Sequence, residues 1–388
     1  MSAQKRQVLI VTPWIGRDGG GVSEVARLEA EALVRRGVAV EVYSFASPAA
    51  ESARCDWPQV QIRLFPSYGP VGFRFSPAIL WQLLRRTRGG TIHVHGAWMF
   101  HLWAVALSAR LRGGRYAITP HGMLTPWILA RSPRLKWIVN RLFQRRAFAH
   151  ATAVQALTRA EADEIAAYIG TAPTPRIEVI GNFVPEAGAP GQTPCCPSFA
   201  GRRVFLFLGR IHQKKGWREL CDAWDTLCSD DPGLARRIGL VFAGWLDDCP
   251  QFEPRIAALT ASHRNVIWAG PVFGQDKQAA FDTADVFVLP SHSEGLPMAV
   301  LEAWGAGLPA LITPGCNLPD GIEAGAALEC KPEAGSIEAA LRQFATMPTE
   351  DFARMQEAAR ALVEQNYREG VVMDKIVHDL LQLEGGPR

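Results

Sequence analysis

The chain has 388 residues, of which 48% are hydrophobic and 20% charged, and its formal net charge is +3. This size and composition suit two globular domains, each large enough to bury its own core. No uncharged apolar run is long enough to cross a bilayer, so a membrane-spanning protein is excluded and any membrane contact is expected to be peripheral.

The charge is unevenly divided along the chain. Residues 1–180 contain 23 Lys and Arg against 11 Asp and Glu, whereas the remainder contains 18 against 27. No acidic residue occurs between Asp56 and Glu161, a span with 15 basic residues. The eight cysteines lack paired metal-binding spacing, and the charged start is too short for a leader. The sequence therefore predicts a cytoplasmic protein with free thiols.

The first predicted strand, Val8 to Val11, leads into a glycine cluster. Gly19, Gly20 and Gly21 precede an amphipathic run from Val22 to Arg35. Glycines between a strand and a helix allow a phosphate or another backbone to come close, and a flexible loop tip explains the same cluster equally well.

Histidines accompany two further predicted strands. His93 and His95 lie in an apolar run that begins at Ile92, and His121 follows a second apolar run. Neither group has zinc-binding spacing, so His93 is interpreted as a packed, hydrogen-bonded residue. His121 stands at the carboxyl end of its strand, where open α/β sheets bind ligands, and Gly122 gives access to it. His95 is a weaker candidate for the acceptor side.

Residues 127–146 combine aromatic and basic side chains in a helical pattern, with Arg134, Lys136, Arg141, Arg145 and Arg146 as the cations. Such a segment can lie on an anionic membrane, with its apolar face down and its cations at the headgroups. A core helix with a solvated basic face and a nucleic-acid patch are the alternatives. No nucleic-acid motif is present, so contact with an anionic membrane is the preferred prediction and a nucleic-acid partner is not expected.

A proline- and glycine-rich stretch without periodicity divides the chain at residues 185–198. We predict a first domain over 1–184, a linker over 185–198 and a second domain over 199–366. Strands alternate with helical stretches in both halves, which is typical of doubly wound α/β sheets.

The second half begins with a buried strand, Val204 to Leu208, that ends in a basic glycine loop. Arg210 and Lys215 lie between Gly209 and Gly216. The glycines permit a tight turn, while a guanidinium and an ammonium five residues apart can hold a diphosphate from two directions. A solvated basic turn is the alternative interpretation of the same loop.

A later strand, Val286 to Leu289, runs into a loop and a helix that together carry two carboxylates. Glu294 lies on the loop and Glu302 lies eight residues on, inside the helix. Pro297 suits a first helical turn, whose free N–H groups attract an anion. Because carboxylates repel phosphate, hydroxyl groups of a sugar and a ribose are their natural partners.

These motifs resemble those of the retaining glycosyltransferases of family 4. The resemblance rests on Glu294 and Glu302 as a Glu-x7-Glu pair, on Arg210 and Lys215, and on the His121-Gly122 element. It implies the GT-B fold, in which two Rossmann-like domains face a central cleft. It also implies that the last helix, from Tyr367, packs back on the first domain.

The resemblance further implies the role of each residue in donor binding and catalysis. Arg210 and Lys215 would neutralise the leaving diphosphate, Glu294 would contact sugar hydroxyls, Glu302 would contact the ribose, and His121 would lie near the reacting sugar. The remaining donor-binding positions that it implies are Gly20, Gly21, Gly295, Leu296, Pro297 and Met298.

The implied reaction moves a sugar from a nucleoside diphosphate to an acceptor hydroxyl with retention at the anomeric carbon. Attack on the front face is expected, so no covalent nucleophile is assigned. No Asp-x-Asp stands at a strand end to hold a divalent cation, and Arg210 and Lys215 can take its place, so no metal and no cofactor are predicted. Alanine at Glu294 or Lys215 is expected to abolish transfer with little loss of stability, because both are predicted to line an open cleft.

The acceptor is predicted to be a glycan or a lipid-linked glycan. Residues 315–321 resemble a subgroup found among polysaccharide and lipopolysaccharide assembly enzymes, which implies work at the inner face of the plasma membrane. A GT-B epimerase that hydrolyses its donor and a non-catalytic nucleotide-sugar-binding subunit remain the alternatives.

Overall fold

The computed structural model describes residues 7–16, 19–57, 59–86, 90–125, 128–129, 133–170, 175–185 and 199–383, apart from the side chains of 133–135. The chain divides into two compact units, Met1–Phe183 with Glu369–Arg388, and Val184–Arg368. Val184 lies in the second unit, not in the first domain where it was predicted, because its N–H donates to the Tyr367 carbonyl at 2.9 Å. The predicted linker lies outside the described residues from 186 to 198.

Over the described residues, the first unit contains a seven-stranded parallel sheet in the order β3-β2-β1-β4-β5-β6-β7. Its inner strands are short and mostly buried, as expected for a sheet that is covered on both faces, whereas the edge strands Gln61–Phe65 and Arg176–Val179 carry charged and exposed residues. They are β1 (Gln7–Val11), β2 (Ala39–Phe45), β3 (Gln61–Phe65), β4 (Thr91–His95), β5 (Arg115–Thr119), β6 (Ala153–Ala156) and β7 (Arg176–Val179).

Helices connect these strands and cover both faces of the sheet. Successive side chains of β1 enter different cores, since Leu9 and Val11 pack in one cluster and Val8 and Ile10 in the other. The helices are α1 (Gly20–Arg35), α2 (Pro48–Ser52), α3 (Pro77–Arg85), α4 (Phe100–Arg112), α5 (Pro133–Val139), α6 (Arg145–Ala149) and α7 (Arg159–Ile169).

The second unit contains, among its described residues, a six-stranded sheet in the order β10-β9-β8-β11-β12-β13, again parallel. Its core is rich in buried aromatic rings, among them Trp217, Trp224 and Phe242. The strands are β8 (Arg203–Leu208), β9 (Ile238–Ala243), β10 (Val266–Trp268), β11 (Val286–Leu289), β12 (Ala310–Ile312) and β13 (Ala327–Glu329).

Helices of the second unit alternate with its strands. They are α8 (Trp217–Asp230), α9 (Pro232–Ala235), α10 (Phe252–Ser262), α11 (Gly274–Thr283), α12 (Met298–Gly305), α13 (Pro319–Glu323), α14 (Ala334–Thr346) and α15 (Thr349–Leu362). The two sheets confirm the predicted α/β class with two doubly wound units.

The C-terminal segment belongs to the first unit. Helix α16 (Glu369–Lys375) and the π-helical turn Ile376–Leu380 pack in the same core cluster as Val8 and Ile10. Glu369 Oε2 accepts a hydrogen bond from Arg35 on α1 at 2.6 Å. Tyr367, which the sequence assigned to this segment, lies in the second unit.

Three local features differ from the sequence-based expectation. Helix α1 begins at Gly20, so Gly20 and Gly21 form its first turn and are not part of a preceding loop. Pro297 is the N-cap of α12, one residue before its first turn. The helical pattern over 127–146 is interrupted by a π-helical turn at Asn140–Gln144, between α5 and α6.

No helix among the described residues combines the length and the hydropathy that a bilayer crossing requires. Six cysteines of the described part are free, and five of them are buried. The adjacent pair at 195 and 196 lies outside the described residues.

Candidate active site

Strand order brings two sequence motifs of the second unit together. Strands β8 and β11 are neighbours, and the connections from them leave toward opposite sides of the sheet. Such a switch point leaves a crevice at the carboxyl ends of the two strands, where α/β sheets bind ligands. The basic loop follows β8 and the loop with Glu294 follows β11, so both reach this crevice.

Gly216 allows the basic loop to approach the end of β11. The loop passes through a 3-10 turn, Gln213–Lys215, and ends at Gly216, which has a φ of +68° and caps α8. A Cβ at this position would overlap the carbonyl oxygen of Pro290. Only glycine satisfies both the left-handed backbone and the close approach.

Lys215 and Glu294 form a buried ion pair. Lys215 Nζ lies 2.7 Å from Glu294 Oε1, and the two side chains are only 13% and 8% exposed. Ser291 Oγ donates to the same carboxylate at 2.7 Å, and Lys214 Nζ lies 4.0 Å from its other oxygen. Burial alone raises the pKa of Glu294, but the charges of Lys215 and Lys214 outweigh it and hold the pKa below its ordinary value.

This burial corrects the expectation that the two residues line an open cleft and can be replaced at little cost. A substitution that removes Lys215 leaves a buried carboxylate whose remaining ion-pair partner in the described part of the chain, Lys214, is more distant. The pair therefore stabilises the loop, besides placing charged groups in it.

The segment after β12 holds the backbone of Glu294 in place. The Glu294 N–H donates to the Gly315 carbonyl at 2.7 Å, and Asn317 Nδ2 donates to the Glu294 carbonyl at 2.7 Å. Asn317 has a φ of +56°, a conformation that asparagine tolerates better than most residues. The sequence pattern indicated neither Ser291 nor Asn317 separately. Asn317 lies within 315–321, the segment that resembles a subgroup of polysaccharide assembly enzymes.

Arg210 lies at the start of the same basic loop but has a different partner. Its Nη1 donates to Asp247 Oδ2 at 2.7 Å, and both side chains are partly exposed. Asp247 follows β9, the strand next to β8. Its role was missed because a single acidic residue beyond a strand has no recognisable pattern.

Glu302 faces a neighbouring helix. It forms an ion pair with Lys277 of α11 and is largely buried. Between the two glutamates, Gly295, Leu296 and Pro297 lead into Met298, the first residue of α12, and Leu296 is buried. The first turn of α12 has N–H groups without intrahelical partners, which can bind an anion.

In the first unit, His121 has a left-handed backbone with a φ of +55° and is partly buried. A buried carboxylate supports this turn, since Glu161 Oε1 accepts the Gly122 N–H at 2.6 Å and Oε2 accepts the Leu157 N–H at 2.8 Å. Burial lowers the pKa of His121 to about 3, so its ring is neutral near pH 7. Glu161 was not recognised from the sequence.

His95 lies behind His121. Its Nδ1 is 2.9 Å from His121 Nε2, and its ring is stacked on that of His121. The residue is fully buried, which leaves no exposed atom for an acceptor sugar, contrary to the acceptor-side prediction.

His93 is packed and hydrogen-bonded on both ring nitrogens, and one partner is unexpected. Nε2 lies 2.7 Å from Thr119 Oγ1, and Nδ1 lies 2.6 Å from Glu29 Oε1 of α1. Glu29, His93 and His95 form the one group of possible metal-binding side chains within reach of one another in the described part of the chain. Nothing in the sequence pattern of α1 indicated Glu29.

The predicted site residues thus fall into two groups. Arg210, Lys215, Glu294 and Glu302 belong to the second unit, and the first three lie on the loops beyond β8 and β11. His95 and His121 belong to the first unit, at the carboxyl ends of β4 and β5. Gly20 and Gly21 open α1 of the same unit.

Two family profiles match the chain. Glycosyltransferase Family 4 matches residues 19–187, and Glycosyl transferases group 1 matches residues 202–347. A 2-deoxystreptamine N-acetyl-D-glucosaminyltransferase of Streptomyces fradiae is 28% identical over 78% of this chain and 79% of its own length. A protein of Escherichia coli K12 that is assigned to colanic acid biosynthesis as the glycosyltransferase WcaL is 32% identical over 43% of this chain and 42% of its own length.

Solved structures of similar fold extend over nearly the whole chain. HepE of Anabaena, determined with UDP and glucose, has a TM-score of 0.77 at 16% identity and covers 97% of this chain and 100% of its own. A sucrose-phosphate synthase of Thermosynechococcus elongatus has a TM-score of 0.71 at 15% identity, with 98% and 99% covered. At such identities the likeness establishes the fold alone.

Proposed function

Because the chain belongs to the glycosyltransferases of the GT-B fold, we propose that it transfers a sugar from a nucleoside diphosphate to an acceptor hydroxyl with retention of configuration. The observation that carries this proposal is the Lys215–Glu294 pair at the β8/β11 switch point, with Arg210 on the same loop. The crevice therefore combines cations for a diphosphate with a fixed carboxylate for sugar hydroxyls.

The proposed roles follow from charge. Lys215 and Arg210 neutralise the charge that develops on the leaving diphosphate, and the first turn of α12 adds N–H donors. Glu294 stays ionised because its pKa is lowered, so it accepts hydrogen bonds from sugar hydroxyls. Glu302 is assigned to the ribose by resemblance. No covalent nucleophile is assigned, and the role of His121 toward the reacting sugar remains a prediction from resemblance.

The experiment that tests this proposal measures donor binding and turnover together. Thermal stabilisation by UDP-, GDP- and ADP-sugars identifies the donor, since a ligand that binds only the folded state stabilises it by mass action. Lys215→Ala is expected to lose both the stabilisation and transfer, whereas Lys331→Ala, at an exposed lysine of the same unit, keeps both. Equal donor stabilisation of the two variants would overturn the site assignment.

We further propose that transfer needs no divalent cation, since Arg210 and Lys215 supply the positive charge. Activity is expected to survive an excess of EDTA. Loss of activity that Mg²⁺ or Mn²⁺ restores would contradict this proposal.

A glycan acceptor of cell-surface polysaccharide synthesis, lipid-linked in the simplest case, is the proposed second substrate. Its support is the named role of the WcaL relative in colanic acid biosynthesis. A donor-hydrolysing epimerase would turn over without an acceptor, and a binding subunit would not turn over at all. Product analysis with and without a lipid-linked glycan therefore separates the three functions.

The proposed membrane contact rests on exposed apolar side chains of α5 and the turn after it. Trp137, Ile138 and Leu142 are 66%, 46% and 64% exposed, and Arg141 and Arg146 are also exposed. Arg145 is exposed as well, although its Nε donates to the backbone carbonyl of residue 169, whereas Lys136 is partly buried and donates to the carbonyl of residue 128. The side chain of residue 134 lies outside the described part of the chain.

Co-sedimentation tests the membrane contact. Vesicles rich in anionic lipid are expected to bind the protein, with about 1 kcal/mol for each near-surface cation, and neutral vesicles much less. The triple variant Trp137→Ser/Ile138→Ser/Leu142→Ser should lose most of the binding. Trp81→Ser, at an exposed tryptophan of α3, serves as the control. Equal binding by the triple variant and the parent would contradict this proposal.

A further inference from the structure

A chain of buried hydrogen bonds crosses the first unit beneath His121. It links four strands or strand ends to helix α1, and its members are buried. In order they are the Ile180 carbonyl, Gln155, Thr119, His93 and Glu29.

The direction of this chain follows from the backbone carbonyl at its end. Gln155 Nε2 donates to the Ile180 carbonyl at 2.8 Å, so Gln155 Oε1 faces Thr119 Oγ1 at 2.7 Å. An amide oxygen only accepts, and the single hydroxyl proton of Thr119 is therefore used there. Thr119 Oγ1 must then accept from His93 Nε2–H at 2.7 Å.

This direction decides where the proton lies between His93 and Glu29. A neutral imidazole with its proton on Nε2 has a lone pair on Nδ1, and Nδ1 lies 2.6 Å from Glu29 Oε1. A contact this short requires a proton between the two atoms, and beside a neutral His93 ring Glu29 is the group that supplies it. Two ligands of one zinc ion would lie about 3.3 Å apart by comparison, given bonds of about 2.0 Å in tetrahedral geometry.

The surroundings of Glu29 favour the uncharged acid. Its partners at ion-pair distance, within the described residues, are His93 and His95, and its side chain is 2% exposed. The other ionisable side chains of this cluster are His101 of α4 and His121 beyond β5, whereas the C-terminal segment places Val372 and Ile376 beside Glu29. Burial raises the pKa of Glu29 to about 7, against the opposing influence of His95, and lowers the pKa of His93 to about 3.

Through its second oxygen, Glu29 also determines the proton positions on His95 and His121. Oε2 lies 3.4 Å from His95 Nε2, a buried nitrogen that has no hydrogen-bond partner among the described residues. With the acid proton on Oε1, Oε2 is an acceptor, and its partial charge favours a proton on His95 Nε2. His95 Nδ1 then accepts from His121 Nε2–H at 2.9 Å, which leaves the Nδ1 of His121 as a lone pair.

We propose that Glu29 is a positioning residue that acts as a neutral acid: it donates its proton to His93 and, through His95, sets His121 to offer Nδ1 as an acceptor to a ligand at the carboxyl edge of the first sheet. The part that concerns the ligand rests on the proposed function. An ionised Glu29 beside a neutral His93 would instead accept from Nδ1, and Thr119 would lose its donor. An ionised Glu29 beside a His93 imidazolium would keep both contacts but place the shared proton on Nδ1.

Unfolding measurements of the parent and Glu29→Gln test the protonation state without any reference to activity. The amide of glutamine can donate to His93 and accept near His95, so the variant is expected to fold. Folding raises the pKa of Glu29 from 4.5 to about 7, so between these pH values the folded protein holds a proton that the unfolded chain has lost. The stability that this proton contributes is fully present below pH 4.5 and is lost as the pH rises to about 7. The ratio of the unfolding constants, parent over variant, should therefore rise by nearly tenfold per pH unit between about 4.5 and 7.

A flat ratio, or one that falls with pH, would show that Glu29 is ionised in the folded protein and would overturn the proposal. NMR of the parent separates the neutral pair from a His93 imidazolium beside an ionised Glu29, which would give the same rising ratio, and it also decides if Glu29→Gln does not fold: histidine ¹⁵N shifts should show His93 and His121 as Nε2–H tautomers at pH 6. A proton on Nδ1 of His93 overturns the proposal. Stoichiometric metal that co-purifies with the parent would overturn it as well.

The pH profile of transfer tests the link to His121. Relative to Glu29→Gln, the kcat of the parent should fall about tenfold between pH 6 and pH 8, as Glu29 ionises and the order of the chain reverses. Parallel profiles would overturn the positioning of His121. If neither protein transfers sugar while the stability ratio and the tautomers are as expected, the proposed function fails and the assignment of the Glu29 proton stands.

Discussion

The Lys215–Glu294 ion pair combines a structural contribution with the proposed binding role. Its two side chains come from loops that follow β8 and β11, and both are largely buried. A buried carboxylate without its cation is costly, whereas a neutral amide in the same place is not. The two contributions can therefore be separated by the choice of substitution.

Lys215→Ala is expected to lower the free energy of unfolding by about 3 kcal/mol, because it leaves Glu294 buried with Lys214 4.0 Å away as its cation. Lys215→Ala/Glu294→Gln should be more stable than Lys215→Ala alone, with a coupling energy of about 1–3 kcal/mol. Urea unfolding of the parent, Lys215→Ala, Glu294→Gln and the double variant measures this coupling energy. All three variants should lack transfer, and additive stabilities would show that the pair is not coupled.

The histidines of the first unit predict acid sensitivity. Burial lowers the pKa of His93 and of His121 to about 3 and that of His101 to about 4, and it also lowers the pKa of His95. The folded state keeps these rings neutral, whereas the unfolded chain takes up protons below pH 6.5. Stability is therefore present above pH 6.5 and is lost as the pH falls toward 4, by about 1.4 kcal/mol per histidine and pH unit.

Urea unfolding between pH 7 and pH 4.5 measures this loss, which the Glu29 proton offsets in part. His101→Gln should reduce the slope by about one proton. Equal slopes for the parent and His101→Gln would show that His101 is not buried as a neutral ring.

At the scale of elements, the site depends on close approach between the segments that follow β8, β11 and β12. Gly216 packs against the Pro290 carbonyl, and Gly315 packs against the carbonyls of Ser291 and His292. These contacts place two loops and a turn at one edge of the sheet, so backbone space limits the site as much as side-chain chemistry does.

Gly216→Ala is expected to cost about 2–5 kcal/mol, the sum of a left-handed backbone and an overlap with the Pro290 carbonyl. Gly325→Ala is the matched control, because Gly325 has a similar φ of +74° and no atom within 4 Å of the added Cβ. It should cost about 1–2 kcal/mol. Chemical denaturation compares the two, and equal losses would mean that the overlap relaxes without cost.

At the scale of the whole molecule, the chain order and the spatial units do not coincide. The first unit takes its last segment from the C-terminus, and Val372, Met373 and Ile376 are buried in a core built mainly from residues before 184. Arg35, the last residue of α1, and Arg36, which caps it, add ion pairs to Glu369. A protein truncated at its C-terminus therefore loses part of its first unit and keeps its second unit whole.

A chain that ends at Arg368 is expected to lose the folded first unit, because each buried apolar side chain of the C-terminal segment contributes about 1.5–3 kcal/mol and the total approaches the stability of a domain. The second unit should keep its own unfolding transition. A chain that ends at Leu383 is the control and should behave as the parent. Two unchanged transitions in the shorter chain would contradict the packing of this segment.

Local pattern was sufficient to predict the two α/β sheets and the positions of Arg210, Lys215, Glu294 and His121. Apolar runs define buried strands, and polar residues just beyond them lie at the carboxyl edge of a parallel sheet whatever the rest of the chain does. The partners Asp247, Lys277 and Glu29 had no such signal. Glu29 and His93, for example, lie 64 positions apart.

Only the tertiary structure decided how these residues are paired and how deeply they are buried. Many weak contacts along the whole chain together determine the strand order, and this order places the two loops with Lys215 and Glu294 side by side. Burial then sets which of the carboxylates is charged: Glu294 has cations beside it and keeps its charge, whereas Glu29 lies among histidines and apolar side chains that favour the neutral acid. One glutamate is therefore ionised and the other neutral because of the side chains that the fold places around each of them.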